Sequence, residues 1–348
     1  YMSAGKPVVA TDLPELGPYR ALFYPASTAE EFVHQLEAAL AERDPARVEA
    51  RKAMARQNTW DARARALDEH IRQLYSRAAI VIVSYHNLDY LRLCLESIWA
   101  RTEYPNYEVI VVDNASPAEV REYLQQCQSV QPRLRVILNP ENLGFARANN
   151  LGLQEARARA CEYVALLNND TVVTRGWLSG LVRHLQHDPA LGMVGPATNW
   201  ASNEARVAVD YQTLDGLEPF AEQYTEARPG MAQDVRTLDL FCAALRVSVV
   251  DEVGPLDEGF GLGMFEDDDY ALRLRRAGYR LACVRDVFIH HWGWASFGRL
   301  DQAEYDRLFE ANRRRFETKW GERWERPPLN LGLREKPESP FQVNHERR

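Results

Sequence analysis

Polar groups of types that bind charged ligands follow five apolar runs of this chain. They are Ser84-Tyr85, Asp113-Asn114, Asn139, Asn168-Asn169-Asp170 and the later cluster Glu266-Asp267-Asp268-Asp269. In an open α/β sheet the ligand lies beyond the carboxyl ends of the strands, so groups that follow successive strands converge in space. The spacing therefore predicts one ligand site built on a sheet.

Asp113 and Asp170 each follow a predicted strand. Asp113 can accept hydrogen bonds from a base or a ribose. Asp170 can hold Mg²⁺ or Mn²⁺ against a diphosphate, because hard divalent cations bind one or two carboxylates together with substrate phosphates. Both residues have a structural alternative, since an aspartate after a strand often caps the next helix.

The stretch from Asn142 to Asn149 is a predicted junction between a loop and a helix. Gly144 would let the backbone approach a phosphate or a base. Asn149 would lie about one turn into the helix. A plain junction without a ligand is the alternative.

The acidic cluster Glu266–Asp269 precedes a helical pattern that stops at Gly278. The helix dipole favours carboxylates there, which is a purely structural explanation. Four adjacent acids also repel one another, and this can leave one ionised carboxylate ready to accept a proton. Both readings stay open from these residues alone.

Two adjacent histidines, His290 and His291, follow the predicted strand Val287–Ile289. Adjacent strand residues point to opposite faces, so at most one of them can join Asp170 at a metal. Trp292 and Trp294 fit core packing or stacking on a sugar.

Alternating apolar runs and helical patterns predict an α/β fold from residue 79 onward. The predicted strands are Ile80–Val83, Val109–Val112, Leu134–Leu138 and Tyr163–Leu167. Alternation of this kind implies right-handed crossovers and a mostly parallel, Rossmann-like sheet flanked by helices. Later we expect polar loops from about 199 to 234, a strand near 238–247 and a helix over 302–324.

Residues 1–76 form a different, partial αβ segment, with strands expected at Pro7–Ala10 and Ala21–Tyr24 before helices. Two short strands do not make a stable sheet alone. We expect the main domain over 77–325 and a loosely packed tail over 326–348.

Composition excludes several classes of protein. A net charge of -8 with a pI near 5.6 argues against a nucleic-acid binder. The five widely spaced cysteines contain no C-x-x-C pair and fit reduced thiols in the cytoplasm. No run reaches the roughly 20 apolar residues that span a bilayer. Peripheral contact with the cytoplasmic face of a membrane and homo-oligomer formation stay open.

Several motifs together resemble family 2 glycosyltransferases, inverting enzymes of GT-A fold, and especially their rhamnosyltransferase-like branch, over about 79–322. The motifs are Ser84-Tyr85-His86-Asn87, Val112–Ser116, Asn142–Ala146, Leu167–Thr171, Glu266-Asp267 with Arg273, His291 with Gly293 and Ser296, and Phe316-x-x-Lys319-Trp320-Gly321. Their order and spacing both agree with that family.

The resemblance implies roles for individual residues. Asp267 of the Glu266-Asp267 pair matches the catalytic base, Asp170 the last acid of a metal-binding D-x-D motif, and His291 a histidine that can complete the metal site. The set implied for binding the donor nucleotide is Ser84, Tyr85, Asp113, Asn142, Gly144, Asn149 and Asn168. Asn168 replaces the first acid of D-x-D, so Mn²⁺ or Mg²⁺ would depend more on the diphosphate itself.

Tyr1–Thr11 resembles the nucleotide-binding half of B-type glycosyltransferases, over about seventy residues. A glutamate that binds the donor in that family would precede Tyr1. We therefore expect this segment to be catalytically silent, either as a remnant of a longer domain or as a degenerate docking module. A generic αβ fragment without such ancestry is the alternative.

The expected reaction moves a sugar from a nucleoside diphosphate sugar to a hydroxyl of a glycan or glycolipid, in surface polysaccharide or glycolipid synthesis. A non-catalytic module that binds sugar nucleotides or glycans is one alternative. A sugar nucleotidyltransferase is another, although the stretch after Val83 lacks the glycine- and arginine-rich phosphate loop of that class.

Overall fold

The computed structural model describes residues 1–293 and 301–326. The chain divides into two compact units, Tyr1–Leu74 and a second that begins at Tyr75. Trp294, Ser296 and the predicted tail after residue 326 lie outside the described residues.

The first unit contains two short parallel strands and three helices. They are β1 (Val9–Thr11), β2 (Tyr24–Ala26), α1 (Ala29–Ala41), α2 (Pro45–Gln57) and α3 (Trp60–Leu74). The strand predicted at Ala21–Tyr24 is displaced to Tyr24–Ala26. A 3-10 helix that begins at Pro14 extends to Leu22 and therefore occupies the first half of the predicted strand.

A buried ion pair stabilises this small unit. The Arg51 side chain is fully buried and donates to both carboxylate oxygens of Glu42, at 2.6 and 2.5 Å. It also donates to the carbonyls of Gly5 and Leu22. The hydrogen bonds from Arg51 lower the pKa of Glu42 to about 2. Arg51 of α2 thus holds the backbone of Gly5 and Leu22 and the residue that follows α1, and removing Glu42 would leave the buried guanidinium without its carboxylate.

The second unit is built on one sheet with helices packed against it. Its strands are β3 (Ala78–Ser84), β4 (Tyr107–Asp113), β5 (Leu134–Leu138), β6 (Tyr163–Asn168), β7 (Thr171–Val173), β8 (Leu191–Thr198), β9 (Ala232–Val235), β10 (Cys242–Arg246) and β11 (Arg280–His291). Its helices are α4 (Leu88–Arg101), α5 (Ala118–Val130), α6 (Phe145–Ala158), α7 (Trp177–His187), α8 (Leu217–Glu226), α9 (Val247–Val253), α10 (Glu266–Arg276) and α11 (Gln302–Trp320).

The strand order across the sheet is β5-β4-β3-β6-β10-β8-β11-β7, and β9 also pairs with β11. Strands β3 to β6 are parallel, as predicted from their alternation with helices, and β8 is parallel to β11. In contrast, β10 runs antiparallel between β6 and β8, and β7 and β9 run antiparallel to β11. The predicted α/β class and the mostly parallel sheet are confirmed, with antiparallel strands added in the later half.

Both faces of the sheet are covered, which explains the continuous apolar runs. On β3, Ile80 and Ile82 pack into the core on one face, whereas Val81 packs into the core on the other. A strand buried on both faces needs apolar residues at every position rather than at alternate ones. Polar groups are therefore concentrated at the strand ends. Within the described residues, no helix combines the length and apolar character needed to cross a membrane.

The polar region predicted over 199–234 contains one helix that the sequence analysis did not predict. Helix α8 packs Leu217 and Ala221 against Phe288 of β11 and against Tyr211. The strand predicted at Val287–Ile289 is the end of the longer β11, which begins at Arg280.

Candidate active site

The carboxyl ends of the parallel strands form one edge of the sheet, and the predicted site residues lie along it. Ser84 ends β3, and Asp113 ends β4 directly beside it in register. Asn168 ends β6, and His291 ends β11. Because β10 is antiparallel, its first residues lie at this same edge, where Cys242 pairs with Leu167.

Asp113 and Ser84 each have a buried polar atom that lacks a hydrogen-bond partner among the described residues. One carboxylate oxygen of Asp113 accepts from the Ser116 amide at 3.1 Å and from Arg121 Nε at 3.2 Å. The other oxygen, Oδ1, and the Ser84 hydroxyl are buried and unpaired. Buried polar atoms are normally hydrogen-bonded, so two such atoms on neighbouring strands indicate a place where a ligand completes the bonding.

Gly144 brings two loops of this edge together. Its φ is 81°, and a Cβ at this position would lie 2.0 Å from the carbonyl oxygen of Gly261. Asn142 Oδ1 accepts from the Gly144 amide at 2.9 Å and holds the turn in place. In this structure the close approach that needs glycine is therefore to the backbone of Gly261.

Some predicted ligand residues are bonded within the protein. Asn139 donates to Asn114 Oδ1 at 2.9 Å, and Asn114 donates to the Gly144 carbonyl at 3.1 Å. Asn149 is buried in α6 and donates to the Phe145 carbonyl at 3.0 Å. These amides support the loop beside Asp113.

Tyr85 and Asn168 lie at the ends of β3 and β6. The ring of Tyr85 packs edge-on to His86, with centroids 4.3 Å apart. The Asn168 amide donates to the Phe241 carbonyl at 2.7 Å, and its side chain is only partly buried. This bond fixes the start of the turn that carries Asp170.

Asp170 and His291 lie together because of strand pairing. Asp170 is followed by β7, which pairs antiparallel with β11 so that Thr171 lies opposite His291. The distance from Asp170 Oδ1 to His291 Nε2 is 3.4 Å, and both residues are buried. A strand follows Asp170, so the helix-cap alternative does not apply to it.

His290 and His291 point to different surroundings, as adjacent strand residues should. His290 Nδ1 lies 2.7 Å from the Tyr211 hydroxyl, and burial lowers the pKa of His290 to about 3. His291 Nδ1 lies 3.0 Å from the Trp200 carbonyl oxygen. Burial alone would lower the pKa of His291, but the Asp170 carboxylate and the Trp200 carbonyl raise it overall. The structure thus brings His291, rather than His290, to Asp170.

These donors suit a divalent cation that also binds a phosphate ligand. Mn²⁺ binds carboxylate oxygens and imidazole nitrogens as ligands, and Mg²⁺ binds one or two carboxylates together with phosphates. A carbonyl oxygen only accepts, so His291 Nδ1 must carry the proton that bonds Trp200, and neutral His291 presents a bare Nε2 to Asp170. Among residues 1–293 and 301–326, no group of three or more His, Cys, Asp or Glu residues could form a complete metal site. Further ligands would have to come from the bound substrate.

The four acids at the start of α10 have different surroundings. Asp269 is fully buried and accepts from Lys319 Nζ at 2.5 Å, Trp320 Nε1 at 2.9 Å and Arg273 Nε at 3.1 Å. Burial raises the pKa of Asp268 to about 6. The Asp269 carboxylate holds α10 against the end of α11, so part of the acidic cluster has a structural role.

Glu266 and Asp267, the first two carboxylates of the cluster, both have raised pKa values. Burial raises the pKa of Glu266 to about 7, and its Oε2 lacks a hydrogen-bond partner in the described part of the chain. Burial also raises the pKa of Asp267 well above its usual range, and the charges of Asp268, Glu266 and Asp239 add to this effect. Both groups hold a proton more readily than an exposed carboxylate does.

Asp239 lies at this site, although the sequence analysis missed it. Its charge raises the pKa of Asp267 and also contributes to the raised pKa of His291. It therefore connects the acidic cluster electrostatically with the Asp170–His291 pair. The residue precedes the antiparallel strand β10, whereas the polar groups predicted at the sheet edge follow strands. An acid just ahead of the predicted strand near 238–247 was the available signal.

The part of the chain that contains most strands of this sheet matches a known protein family. The family model described as glycosyl transferase family 2 matches residues 79–254, which include Ser84, Asp113, Asp170 and Asp239. This match covers half of the chain. The chain belongs to glycosyltransferase family 2, and the predicted resemblance is confirmed.

Curated relatives of this family 2 chain agree with the assignment. It is 30% identical over 253 residues to the uncharacterized protein y4gI of Sinorhizobium fredii, which covers 69% of this chain and 27% of that protein. It is 28% identical to the O-antigen biosynthesis protein RfbC of Myxococcus xanthus, over 77% of this chain and 22% of that protein. The chain thus spans about a quarter of the length of these two relatives.

Solved structures show the fold of this family 2 chain. The mannosyltransferase PcManGT from Pyrobaculum calidifontis, in complex with GDP-Man and Mn²⁺, superposes with a TM-score of 0.51 at 20% identity, over 73% of this chain and 66% of that chain. GalNAc-T7 with UDP, GalNAc and Mn²⁺ gives a TM-score of 0.50 at 17% identity, over 62% and 44%. The predicted GT-A fold is confirmed.

In this family 2 chain, Asn312 of α11 supports the loop that precedes Glu266. Its side-chain amide is buried and lies 2.8 Å from the carbonyl oxygens of Phe260 and Gly263 and 3.3 Å from that of Met264. Met264 and Phe265 have φ values of 77° and 74°, which are unfavourable for residues other than glycine. The donor bonds of Asn312 help to hold this strained turn in place.

We expect Asn312→Ala to lower the free energy of unfolding by about 2 kcal/mol, because buried carbonyls lose their donor. Chemical denaturation followed by circular dichroism measures this change. Gln302→Ala is the matched control, since Gln302 is an exposed amide of the same helix that bonds Asp306. Equal stability of the two variants would show that Asn312 does not support the loop.

Proposed function

We propose that the chain is an inverting glycosyltransferase that moves a sugar from a nucleoside diphosphate sugar to an acceptor hydroxyl. The observation that supports this proposal is that the charge of Asp239 acts both on the Asp267 carboxylate and on His291, which lies beside Asp170. A base and a cation-binding pair are the two elements that this reaction needs near one sugar.

The donor nucleotide would bind at the ends of β3 and β4. The unpaired Asp113 Oδ1 can accept from a ribose hydroxyl or a base amine, and the Ser84 hydroxyl can donate or accept beside it. Asn142, Gly144 and Asn149 would shape the adjoining loop, given their bonds within it. Tyr85 and Asn168 would line the neighbouring strand ends.

Asp170 and His291 would hold Mn²⁺ or Mg²⁺ at the donor diphosphate. When bound, such a cation supplies electrostatic stabilisation of the charge on the leaving diphosphate. The Asp170 carboxylate brings negative charge to the site, and the Trp200 carbonyl keeps His291 Nε2 directed toward Asp170. With Asn168 in place of a first acid, the protein contributes few ligands and the diphosphate contributes the others.

Asp267 would take the proton of the acceptor hydroxyl as its oxygen attacks the anomeric carbon. A carboxylate with a raised pKa is a stronger base than an ordinary aspartate. The bond from the Asp268 amide to Asp267 Oδ1, at 2.9 Å, stabilises the ionised form. Attack opposite to the departing diphosphate inverts the anomeric configuration, and the proton ends on Asp267.

Glu266 would adjust the charge beside Asp267. Its pKa near 7 means that it is substantially protonated around neutral pH. A protonated Glu266 removes one repelling charge next to Asp267 and so favours ionisation of the base.

The acceptor would be a glycan or a glycolipid in surface polysaccharide synthesis. Relatives named for O-antigen biosynthesis in Myxococcus xanthus and for teichuronic acid biosynthesis in Bacillus subtilis support this class. All five cysteines are described and are free thiols, which supports a cytoplasmic location. We place the chemistry in the second unit.

A donor screen tests the proposed function. We expect the full chain to hydrolyse one member of a panel of UDP-, dTDP- and GDP-sugars slowly. The rate of this hydrolysis should be higher with Mn²⁺ than without it. Nuclear magnetic resonance of the released sugar identifies the donor, and its first-formed anomer reports inversion. Binding of UDP without turnover of any donor or acceptor would instead favour a non-catalytic binding module. Release of pyrophosphate from a nucleoside triphosphate and a sugar phosphate would favour a nucleotidyltransferase.

A further inference from the structure

The loop that follows β8, residues 199–203, makes three hydrogen bonds with His291. Asn199 Oδ1 accepts from the His291 amide at 2.8 Å, and Asn199 Nδ2 donates to the His291 carbonyl at 3.0 Å. The Trp200 carbonyl accepts from His291 Nδ1 at 3.0 Å. The backbone and the ring of His291 are therefore both positioned by this loop, which we call the histidine loop.

Asp239 anchors the far end of the histidine loop. One of its carboxylate oxygens accepts from the Ser202 amide at 2.6 Å. The other accepts from the Ser202 hydroxyl at 2.8 Å and from Asn203 Nδ2 at 3.0 Å. Three donors from two adjacent residues converge on one carboxylate, which fixes the loop two residues after Trp200.

The Trp200 ring gives the loop a second attachment. Its indole lies so close to Gly293 that a Cβ there would be 2.0 Å from the ring. The guanidinium of Arg206 lies 4.7 Å from the ring centroid on the same loop region. The ring restrains the side chain of Trp200, whereas the bonds of Asp239 restrain the backbone that carries its carbonyl.

We propose that Asp239 is a positioning residue for the cation site: by holding Ser202 and Asn203, it keeps the Trp200 carbonyl on His291 Nδ1 and so leaves Nε2 free toward Asp170. The inference rests on the proposed function in one respect, namely that Asp170 and His291 bind the cation. It assigns to Asp239 a role that neither the acidic cluster nor the D-x-D-like motif contains.

The chemistry of imidazole explains why a carbonyl so placed matters. Neutral imidazole carries one proton, on either nitrogen, and the hydrogen bond of one nitrogen decides which. A carbonyl oxygen at Nδ1 selects the form with a proton on Nδ1 and a lone pair on Nε2. If the carbonyl moved away, the Asp170 carboxylate would favour a proton on Nε2 instead, and Nε2 would then have no lone pair to offer a cation.

The bonding of Asp239 also distinguishes this role from two others. Both of its oxygens accept hydrogen bonds from the histidine loop. Asp239 therefore serves the loop rather than binding a cation or an acceptor hydroxyl directly. Removing the carboxylate acts first on Ser202 and Asn203. The effect then reaches His291 through the backbone of the loop.

The direct test measures the His291 tautomer in the metal-free full chain. Nitrogen-15 spectra of the histidine rings, recorded at a pH where His291 is neutral, distinguish protonated from bare nitrogens. In the wild type we expect His291 with a protonated Nδ1 and a bare Nε2. In Asp239→Ala we expect a mixture in which Nε2 carries a large share of the proton, and His291→Gln identifies the signal.

A second measurement follows cation binding. We expect Asp239→Ala to weaken Mn²⁺ binding in the presence of UDP by about 10- to 100-fold, as loss of a residue that orients a ligand does. Asp234→Ala is the matched control, because Asp234 lies in the neighbouring β9, is exposed and pairs with Arg280. This control should keep both the tautomer and the Mn²⁺ affinity of the wild type.

Asp239→Asn protects the test against a simple folding defect. Asparagine keeps the shape and one accepting oxygen but places its amide NH2 donor against a loop donor, so we expect an intermediate tautomer mixture in a protein with wild-type circular dichroism. A wild-type tautomer and Mn²⁺ affinity in Asp239→Asn and in folded Asp239→Ala would overturn the proposal. Failure of sugar transfer with an unchanged tautomer response would overturn the proposed function alone, since the ring spectra need neither donor nor metal.

Discussion

Asp267→Asn should reduce the turnover rate by about 10²- to 10⁴-fold while changing donor affinity by less than about twofold. The substitution keeps the shape of the side chain and removes the group that takes the acceptor proton, which typically contributes a factor of this size. Steady-state transfer kinetics give the turnover rate, and calorimetric titration with UDP and Mn²⁺ gives the affinity. A variant that retains a rate close to wild type would exclude Asp267 as the base.

Asp268→Asn is the matched control for this prediction. Asp268 is the next residue of the same helix, and its charge raises the pKa of Asp267. The base must be ionised, so the wild-type rate should fall as the pH drops through the raised pKa. Removing the charge of Asp268 should move this fall to lower pH and leave the plateau rate largely intact. A shift to higher pH would show that the rate does not report ionisation of Asp267.

Asp170→Ala should weaken Mn²⁺-dependent binding of UDP by at least about 100-fold. Loss of a residue that merely orients a metal ligand costs about 10- to 100-fold, and Asp170 would contact the cation itself. Calorimetric titration of UDP with and without Mn²⁺ measures the effect. The titration without metal should change little, because the Asp113 and Ser84 contacts are independent of the cation.

The partly exposed Asp188 provides a control for the Asp170 prediction. It pairs with Arg280 at the start of β11, the opposite end of that strand from His291. Asp188→Ala also removes one negative charge but should keep the Mn²⁺ dependence of the wild type. If Asp170→Ala retained the same dependence, the cation site would not include Asp170.

The polar residues that follow the apolar runs predicted the strand ends at which part of the candidate site lies. Asp113 and Ser84 end neighbouring parallel strands, and a parallel sheet brings such ends to one edge whatever the loops do. The apolar runs of β3 to β6 predicted those strands because burial on both faces excludes polar residues from them. This part of the fold follows from local sequence pattern.

Residues of the same type could not be separated in this way. Asp267 and Asp269 are both acids in the first turn of α10, and only the packing of α11 shows that Lys319 and Trp320 bind Asp269. His290 and His291 are adjacent, and only the pairing of β7 with β11 selects His291 as the neighbour of Asp170. In each case the distinction is made by partners that are distant in sequence.

The sequence by itself determined the family, the parallel half of the sheet and the polar groups that follow its strands. The tertiary structure decided which of these groups meet, and it added Asp239, which the antiparallel β10 brings to the same edge from before a strand. The physical reason is that apolar periodicity and strand ends are local properties of the chain. The direction of a later strand and the partners of a buried carboxylate depend on which distant segments pack together.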